Sequence, residues 1–217
     1  MDIYIIESRI NKYKADGKKL FATSSFQTHS IVMLHIISRI DNSIPIYFLN
    51  TGFHFPETII YKDRISKLFG LNVLNLTSEI PKHMQKSSTG EMLFATDPDH
   101  CCYINKVQTV EPLLREMDVW INGVRADQSS QRKSFNTEEQ TRFRALRYHP
   151  MLTWTSKMIY DYLREYELPH HPLEDKGYFS IGCEPCTRKA SGDAHRDARW
   201  YGLNKTECGL NTDLIKN

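Results

Sequence analysis

The sequence predicts an α/β fold built on a parallel sheet, and three observations support this prediction. Short apolar segments rich in branched and aromatic residues recur along the chain and have the length of buried strands. Segments with apolar residues at helical spacing lie between them, and Gly, Pro or hydroxyl residues separate the two kinds. Such alternation implies parallel strands joined by right-handed crossovers, with ligands held beyond the carboxyl ends of the strands.

The first part of the chain predicts three strands and two helices. In order, these are the strand KLFATSSF (19–26), the helix HSIVMLHIISRI (29–40), the strand SIPIYFLNTG (43–52), the helix PETIIYKDRISKLFG (56–70) and the strand LNVLNLT (71–77). Pro56 suits the first turn of its helix, and Gly70 suits its end. We therefore expect the functional loops to follow Thr23 and Asn50.

The second part predicts two further helices and two further strands. These are VEPLLREM (110–117), DVWINGV (118–124), FRALRYHPML (143–152) and TSKMIYDYLREYE (155–167), the last capped by Thr155. Residues 168–186 predict an irregular loop. Beyond Cys186 the chain is polar and loses its periodicity, which predicts a mobile tail. We expect one α/β domain over residues 1–190 and a tail over residues 191–217.

Composition narrows the class of protein. The 217 residues are 40% hydrophobic, enough for one sizeable core. No apolar run approaches the roughly 20 residues of a membrane span, and the first residues lack the pattern of a signal peptide, so we expect a cytoplasmic protein. The net charge of +2 argues against a nucleic-acid binder.

Basic residues nevertheless cluster in two places. Residues 125–147 contain six Arg or Lys against three acids, and residues 188–205 contain five against two. Solvated surface charge would explain both clusters, and a site for a phosphate or sulfate ester is the sharper alternative. The loop TSSFQTHS (23–30) leaves the same choice open, because it fits either an ordinary capped turn or a cradle of backbone N–H groups for an anion.

The five cysteines divide into a set of four and a single one. Cys101 and Cys102 are adjacent, and Cys183 and Cys186 form a C-x-x-C pair. Four thiolates suit zinc or an iron–sulfur cluster, and the adjacent pair favours the larger polynuclear centre. Four cysteines packed as small apolar groups are the structural alternative. Cys208 stands alone in the polar tail, where nearby arginines would favour a nucleophilic thiolate.

Several motifs together resemble one family, the assimilatory adenylyl-sulfate reductases, relatives of the 3′-phosphoadenylyl-sulfate reductases. The similarity extends over about residues 20–210. The motifs are CCYINK (101–106), SIGCEPCT (180–187), RDARW (196–200), KTECGL (205–210), FLNTGFHFPET (48–58) and INGVRADQS (121–129). Asn50 and Asn211 stand where many relatives carry Asp and His.

The resemblance implies an adenine-nucleotide α-hydrolase-like fold of the PP-loop, Rossmann-like kind, with a [4Fe–4S] cluster on the four paired cysteines. It implies that Ser24, Ser25 and Phe26 hold the phosphosulfate and that the stretch Leu49, Thr51 and Gly52 lines the adenine pocket. Other anionic contacts fall to the cationic residues of the motifs, which are Lys106, Arg125, Arg196 and Arg199. Cys208 matches the nucleophile.

The implied reaction is thiol-dependent reduction of adenosine 5′-phosphosulfate to sulfite and AMP, through an S-sulfocysteine on Cys208. Thioredoxin or glutaredoxin would donate the electrons, neither nucleic acid nor a membrane would take part, and a homo-oligomer is left open. Reduction of 3′-phosphoadenosine 5′-phosphosulfate is the nearest alternative. An iron–sulfur redox sensor is a more distant one, because a sensor has no need of KTECGL.

Overall fold

A computed structural model of the chain describes residues 3–189, 199–200, 202–203, 205 and 207–214. Its centre is a six-stranded sheet in the order β3-β2-β1-β4-β6-β5. The strands are β1 (Leu20–Thr23), β2 (Ile46–Leu49), β3 (Val73–Leu76), β4 (Val119–Asn122), β5 (Glu138–Gln140) and β6 (Leu146–Tyr148). All neighbours pair in parallel except β5 and β6, which are antiparallel. The predicted α/β class is confirmed.

Helices cover both faces of the sheet, as a parallel sheet requires. They are α1 (Ile3–Ala15), α2 (Thr28–Asp41), α3 (Pro56–Phe69), α4 (Leu93–Thr96), α5 (Pro98–Cys102), α6 (Gln108–Glu116) and α7 (Ser156–Glu165). Helices α1, α2, α3 and α7 pack on one face. Helix α6 packs on the other, against Phe21, Trp120 and the fully buried Leu214. None of the helices in the described residues is long and apolar enough to cross a membrane.

The strand order reverses between β1 and β4: β2 and β3 are added on one side of β1, and the later strands are added on the other side. Strand β1 pairs with β2 on one side and with β4 on the other, with Thr23 opposite Asn122. At such a switch point, the loops after the two strands diverge and leave a crevice that binds ligands. The Trp120 indole N–H donates to Thr23 Oγ1 at 2.8 Å and links the two strands at this point.

Several elements were not predicted, among them helices α1, α4 and α5, strand β5 and a π-helical turn. Helix α1 buries Ile6, Ile10 and Tyr13, which share one helical face. Strand β5 is polar, and its position depends on contacts with α1, where the Tyr13 hydroxyl donates to Glu138 at 2.5 Å. A π-helical turn, Tyr103–Val107, joins α5 to α6, so Cys101, Cys102 and Lys106 lie on one continuous helical stretch.

The predicted mobile tail is only partly described, and its described part is ordered against the domain. Residues 207–214 contain a short 3₁₀ turn, Gly209–Asn211, and end in the buried Leu214. The Arg142 N–H donates to the Leu214 carbonyl at 3.2 Å. The division at residue 190 stays a prediction, since residues 190–198 lie outside the described part of the chain.

The Thr155 cap offers a test of the fold. Its hydroxyl accepts a hydrogen bond from the Met158 N–H at 3.3 Å at the start of α7. Thr155→Ala is expected to lower the free energy of unfolding by ~1 kcal/mol, because one N–H of the first helical turn loses its acceptor. Urea denaturation measures the change, with Thr155→Ser as the control that keeps a hydroxyl. Equal stability of the alanine variant and the wild type would contradict this assignment.

Candidate active site

A cavity of about 520 Å³ opens at the switch point of the sheet. Thr23, Leu49 and Asn122, the last residues of β1, β2 and β4, all line it. The three side chains share one sheet face because they alternate with Ala22, Phe48 and Ile121, which belong to the core on the opposite face. The cavity is therefore the crevice that the strand order predicts.

The serine loop after β1 forms one wall. Ser24 and Ser25 line the cavity, whereas Phe26 does not. The Phe26 ring is fully buried and packs edge-on against Phe48. Its backbone adopts φ 53°, a left-handed conformation that few bulky residues take, and its N–H donates to Ser24 Oγ at 3.1 Å. Core packing of the ring thus holds the sharp turn between β1 and α2.

Leu49, the last residue of β2, and Thr51, which follows the strand, line two different cavities. Leu49 lines the large cavity, and Thr51 lines a second cavity beside the cysteines. Thr51 Oγ1 lies 3.3 Å from Cys183 Sγ. Gly52 lines neither cavity and adopts φ 72°. Of the three residues predicted for an adenine pocket, Leu49 alone lines the large cavity.

Three of the four predicted cationic residues meet at the large cavity: Lys106, Arg125 and Arg199. Arg125 is buried, and its guanidinium donates to Asp127 at 3.0 Å and to Ser156 at 3.0 Å. Burial lowers the pKa of Arg125, against the opposing effect of Asp127. The fourth residue, Arg196, lies outside the described residues.

Arg199 lies beside the C-x-x-C loop, in space that is open because Gly182 has no side chain. Its guanidinium donates to the Ile181 carbonyl at 3.3 Å and lies over the Trp200 ring. A Cβ atom built on Gly182 would be 2.3 Å from one guanidinium nitrogen, closer than atoms can approach. Glycine at position 182 is therefore a condition for this placement of Arg199.

Several cavity-lining polar residues escaped the sequence analysis, among them Asn122, Arg132 and Arg147. Arg147 is buried, which lowers its pKa to about 9. It donates to the Leu210 carbonyl at 3.0 Å and to Asn211 Oδ1, both in the tail. Neither amide atom of Asn122 has a hydrogen-bond partner within the described chain. The two arginines belong to the basic cluster at 125–147, but their partners come more than sixty residues later.

Cys208 is half-buried and lines the cavity, opposite these basic groups. Burial opposes ionisation of its thiol, but the positive charge of Lys106, the Leu210 N–H and Arg199 outweigh it, so the pKa of Cys208 is lowered. A lowered pKa increases the fraction of the nucleophilic thiolate at a given pH. The cavity can therefore bind an anion and present it to a reactive sulfur.

The other four cysteines line the second cavity, and each is less than a tenth exposed. Cys183 and Cys186 flank a 3₁₀ turn that is tied to the β2 loop by the Glu184 N–H and to the tail by the Trp200 N–H. Lys106 lies on the wall that both cavities share, with its ammonium 3.9 Å from Cys102 Sγ. The negative charge expected on Cys102 and Cys208 keeps the pKa of Lys106 high despite its burial.

The chemistry of this donor set fits a polynuclear iron–sulfur group. Burial, followed by the charge of the neighbouring cysteines, raises the pKa of Cys101 to about 12 and that of Cys186 to about 11. Thiols with raised pKa values stay protonated at neutral pH unless a strongly cationic centre binds them as thiolates. No three His, Cys, Asp or Glu side chains within the described ranges are arranged around a single metal ion. A cluster is larger than one ion and is held by thiolates that lie farther apart.

Comparison with known proteins gives consistent relatives. A family profile described as the phosphoadenosine phosphosulfate reductase domain matches residues 19–189. A Gloeobacter violaceus protein named phosphoadenosine 5′-phosphosulfate reductase is 38% identical over 199 residues, which cover 89% of this chain and 83% of that protein. A Bacillus pumilus protein named adenosine 5′-phosphosulfate reductase is 36% identical over 197 residues, covering 89% and 84%.

Solved structures share the fold at lower identity. A phosphoadenylyl-sulfate reductase from Candida auris superposes with a TM-score of 0.69 and 19% identity, over 82% of this chain and 87% of that one. An FMN adenylyltransferase from Candida glabrata gives a TM-score of 0.55 and 15% identity, over 82% and 62%. Both similarities support the α/β architecture.

The role of Lys106 in the reactivity of Cys208 can be measured. Lys106→Met is expected to raise the pKa of Cys208, because it removes the largest influence that favours the thiolate. The rate of Cys208 alkylation by iodoacetamide, followed by peptide mass spectrometry, should then reach half its maximum at a higher pH. Lys82→Met is the control, since Lys82 donates to the Gly52 carbonyl on a neighbouring loop. An unchanged pH profile for Lys106→Met would refute this role.

Proposed function

Because the chain belongs to the phosphoadenosine phosphosulfate reductase family, we propose that it reduces adenosine 5′-phosphosulfate to sulfite and AMP. The observation that carries this proposal is the placement of the Cys208 thiol with Lys106, Arg125 and Arg199 on one cavity at the switch point of the sheet. The name of the Bacillus pumilus relative supports the unphosphorylated nucleotide. The name of the Gloeobacter relative favours 3′-phosphoadenosine 5′-phosphosulfate as the second candidate.

In the first half-reaction, the Cys208 thiolate attacks the sulfur of the bound phosphosulfate. A sulfur–sulfur bond forms, the bond from sulfur to the bridging oxygen breaks, and AMP leaves with that electron pair. Charge develops on the departing phosphate oxygen, where Lys106 and Arg199 supply positive charge from the cavity wall. The product on the protein is S-sulfocysteine.

In the second half-reaction, a thiolate of thioredoxin or glutaredoxin attacks Cys208 Sγ. Sulfite leaves, and a mixed disulfide links the donor to Cys208. The second cysteine of the donor then attacks this disulfide and restores the Cys208 thiol. Both electrons therefore come from the dithiol donor. Such donors are kept reduced in the cytoplasm, which agrees with five free cysteines in this chain.

The serine loop and β2 would receive the nucleotide. Ser24 and Ser25 offer hydroxyl groups, and the turn that Phe26 holds offers backbone N–H groups at the start of α2, where the helix dipole favours an anion. Leu49 would pack against the adenine. Arg125 and Arg196 complete the cationic set that the motifs propose.

We assign a [4Fe–4S] cluster to Cys101, Cys102, Cys183 and Cys186. Hydrogen-bond donors near these sulfurs support the assignment, because such contacts stabilise cluster thiolates. The Asn105 amide lies 3.7 Å from Cys101 Sγ, and the Lys106 ammonium approaches Cys102. When bound, the cluster supplies an anchor and a fixed charge beside Lys106.

Sulfite release tests the activity and the nucleophile together. Wild-type protein with reduced thioredoxin is expected to release sulfite from adenosine 5′-phosphosulfate faster than from its 3′-phosphorylated form. Without the donor, mass spectrometry should find one added SO₃ on Cys208. Cys208→Ser is expected to bind the nucleotide, gain no mass and release no sulfite, because an alcohol at this position is not ionised. Sulfite release by Cys208→Ser at the wild-type rate would eliminate the mechanism.

Iron content tests the cofactor. Protein purified without oxygen is expected to contain about four iron atoms per chain and to absorb visible light. Cys186→Ala should lose most of this iron and the colour, because one ligand is removed. Cys208→Ser is the matched control and should keep both. A colourless wild-type protein with one equivalent of zinc would refute the assignment.

A further inference from the structure

We infer that Glu207 is a positioning residue that holds Cys208 in the cavity through an ion pair with Arg132, and that this pair must break before a donor thiol can reach Cys208. The inference rests on the proposed two-step reaction. We call this pair, together with its hydrogen bonds to the tail, the Glu207 latch.

The Glu207 carboxylate is buried and accepts hydrogen bonds through both of its oxygens. Glu207 is 5% exposed. Its two carboxylate oxygens receive Arg132 Nη2 at 2.8 Å and Arg132 Nε at 2.9 Å, the bidentate geometry that makes such pairs strong. The Ser129 hydroxyl adds a third bond from the domain at 3.1 Å. Neutralising Glu207 would remove the bidentate carboxylate partner of the buried Arg132 guanidinium, which is strongly unfavourable.

The same carboxylate also fixes the backbone of the nucleophile. Glu207 Oε1 accepts the Cys208 N–H at 2.9 Å and the Asn211 side-chain amide at 3.0 Å. One carboxylate therefore connects the domain, the peptide of Cys208 and the 3₁₀ turn that follows. Asn211 in turn accepts from Arg147, and the buried Leu214 anchors the end of the segment.

This docked arrangement suits the first half-reaction and obstructs the second. Docked Cys208 faces the cavity beside Lys106 and Arg199, where a bound phosphosulfate would lie. A donor protein is far larger than a cavity of about 520 Å³, so its thiol cannot follow the substrate inside. The segment has to leave, and the latch holds the residue that directly precedes Cys208 in the chain. A weaker latch should therefore slow the first step and spare or accelerate the second.

Glu207→Gln separates these effects, because glutamine keeps hydrogen-bonding atoms and loses the charge. In single-turnover reactions without a donor, adduct formation on Cys208 is expected to slow ~30-fold or more, the lower end of the effect of losing one member of a buried charge pair. Sulfite release from isolated adduct by reduced thioredoxin should be at least as fast as in the wild type. Glu111→Gln, which removes the exposed pair with Arg115, is the control and should change neither step.

Three results would overturn the latch. Adduct formation at the wild-type rate in Glu207→Gln would remove its role in positioning. Equal slowing of both steps, together with a lower melting temperature, would make Glu207 a residue of general stability. Hydrogen exchange of the amides of residues 208–214, measured without nucleotide, is expected to accelerate in Glu207→Gln. Unchanged exchange would overturn the latch even if the wild-type protein formed no adduct, which would instead refute the proposed function.

Discussion

Concentrated positive charge in a buried place is the constraint on which this structure depends. Five cationic side chains, Lys106, Arg125, Arg132, Arg147 and Arg199, line one cavity. Arg125, Arg132 and Arg147 are buried, and Lys106 and Arg199 are partly buried, so acceptors from the protein or from a ligand stabilise their charge. Their acceptors come from separate parts of the chain, including the cysteine pair, the loop after β4, the C-x-x-C loop and the tail. The contacts of these five side chains thus bring separate parts of the chain together at one cavity.

Sequence patterns predicted the helices and strands whose formation depends mainly on residues close together in the chain. Helices α2 and α3 and strands β1 to β4 have clear periodicity or apolar runs, and α3 ends at Gly70 in the left-handed conformation that glycine favours. Strand β5 could not be predicted in this way, since Glu138–Gln140 is polar and joins the sheet through partners on α1 and β6. Helix α1 does have an apolar face, but a short apolar pattern of this kind predicts a stable helix only when a sheet is present for that face to pack against.

The residues of the site also fall into two groups, those that local motifs predicted and those that depend on contacts distant in the chain. Motif order identified Cys208, Lys106, Arg125 and Arg199, which the structure brings to one cavity. Arg132 and Arg147 stood among other basic residues, and nothing local separates them from the exposed Arg142 or Arg144. Their importance depends on Glu207 and Asn211, which lie 75 and 64 residues away in the chain. The polar composition of the tail predicted a mobile segment, and composition alone could not reveal that part of this segment docks through buried polar pairs and one leucine.

The wall shared by the two cavities carries a consequence for how this protein can change. Lys106, Cys183, Arg199 and Trp200 each present atoms to both the thiol-lined cavity and the nucleotide-sized one. Neither compartment can therefore be remodelled alone, whether by mutation over generations or by an engineer seeking another substrate. A substitution that changes one cavity therefore needs a compensating substitution in the other. A related protein without the four cysteines would need different residues in the wall that faces the nucleotide.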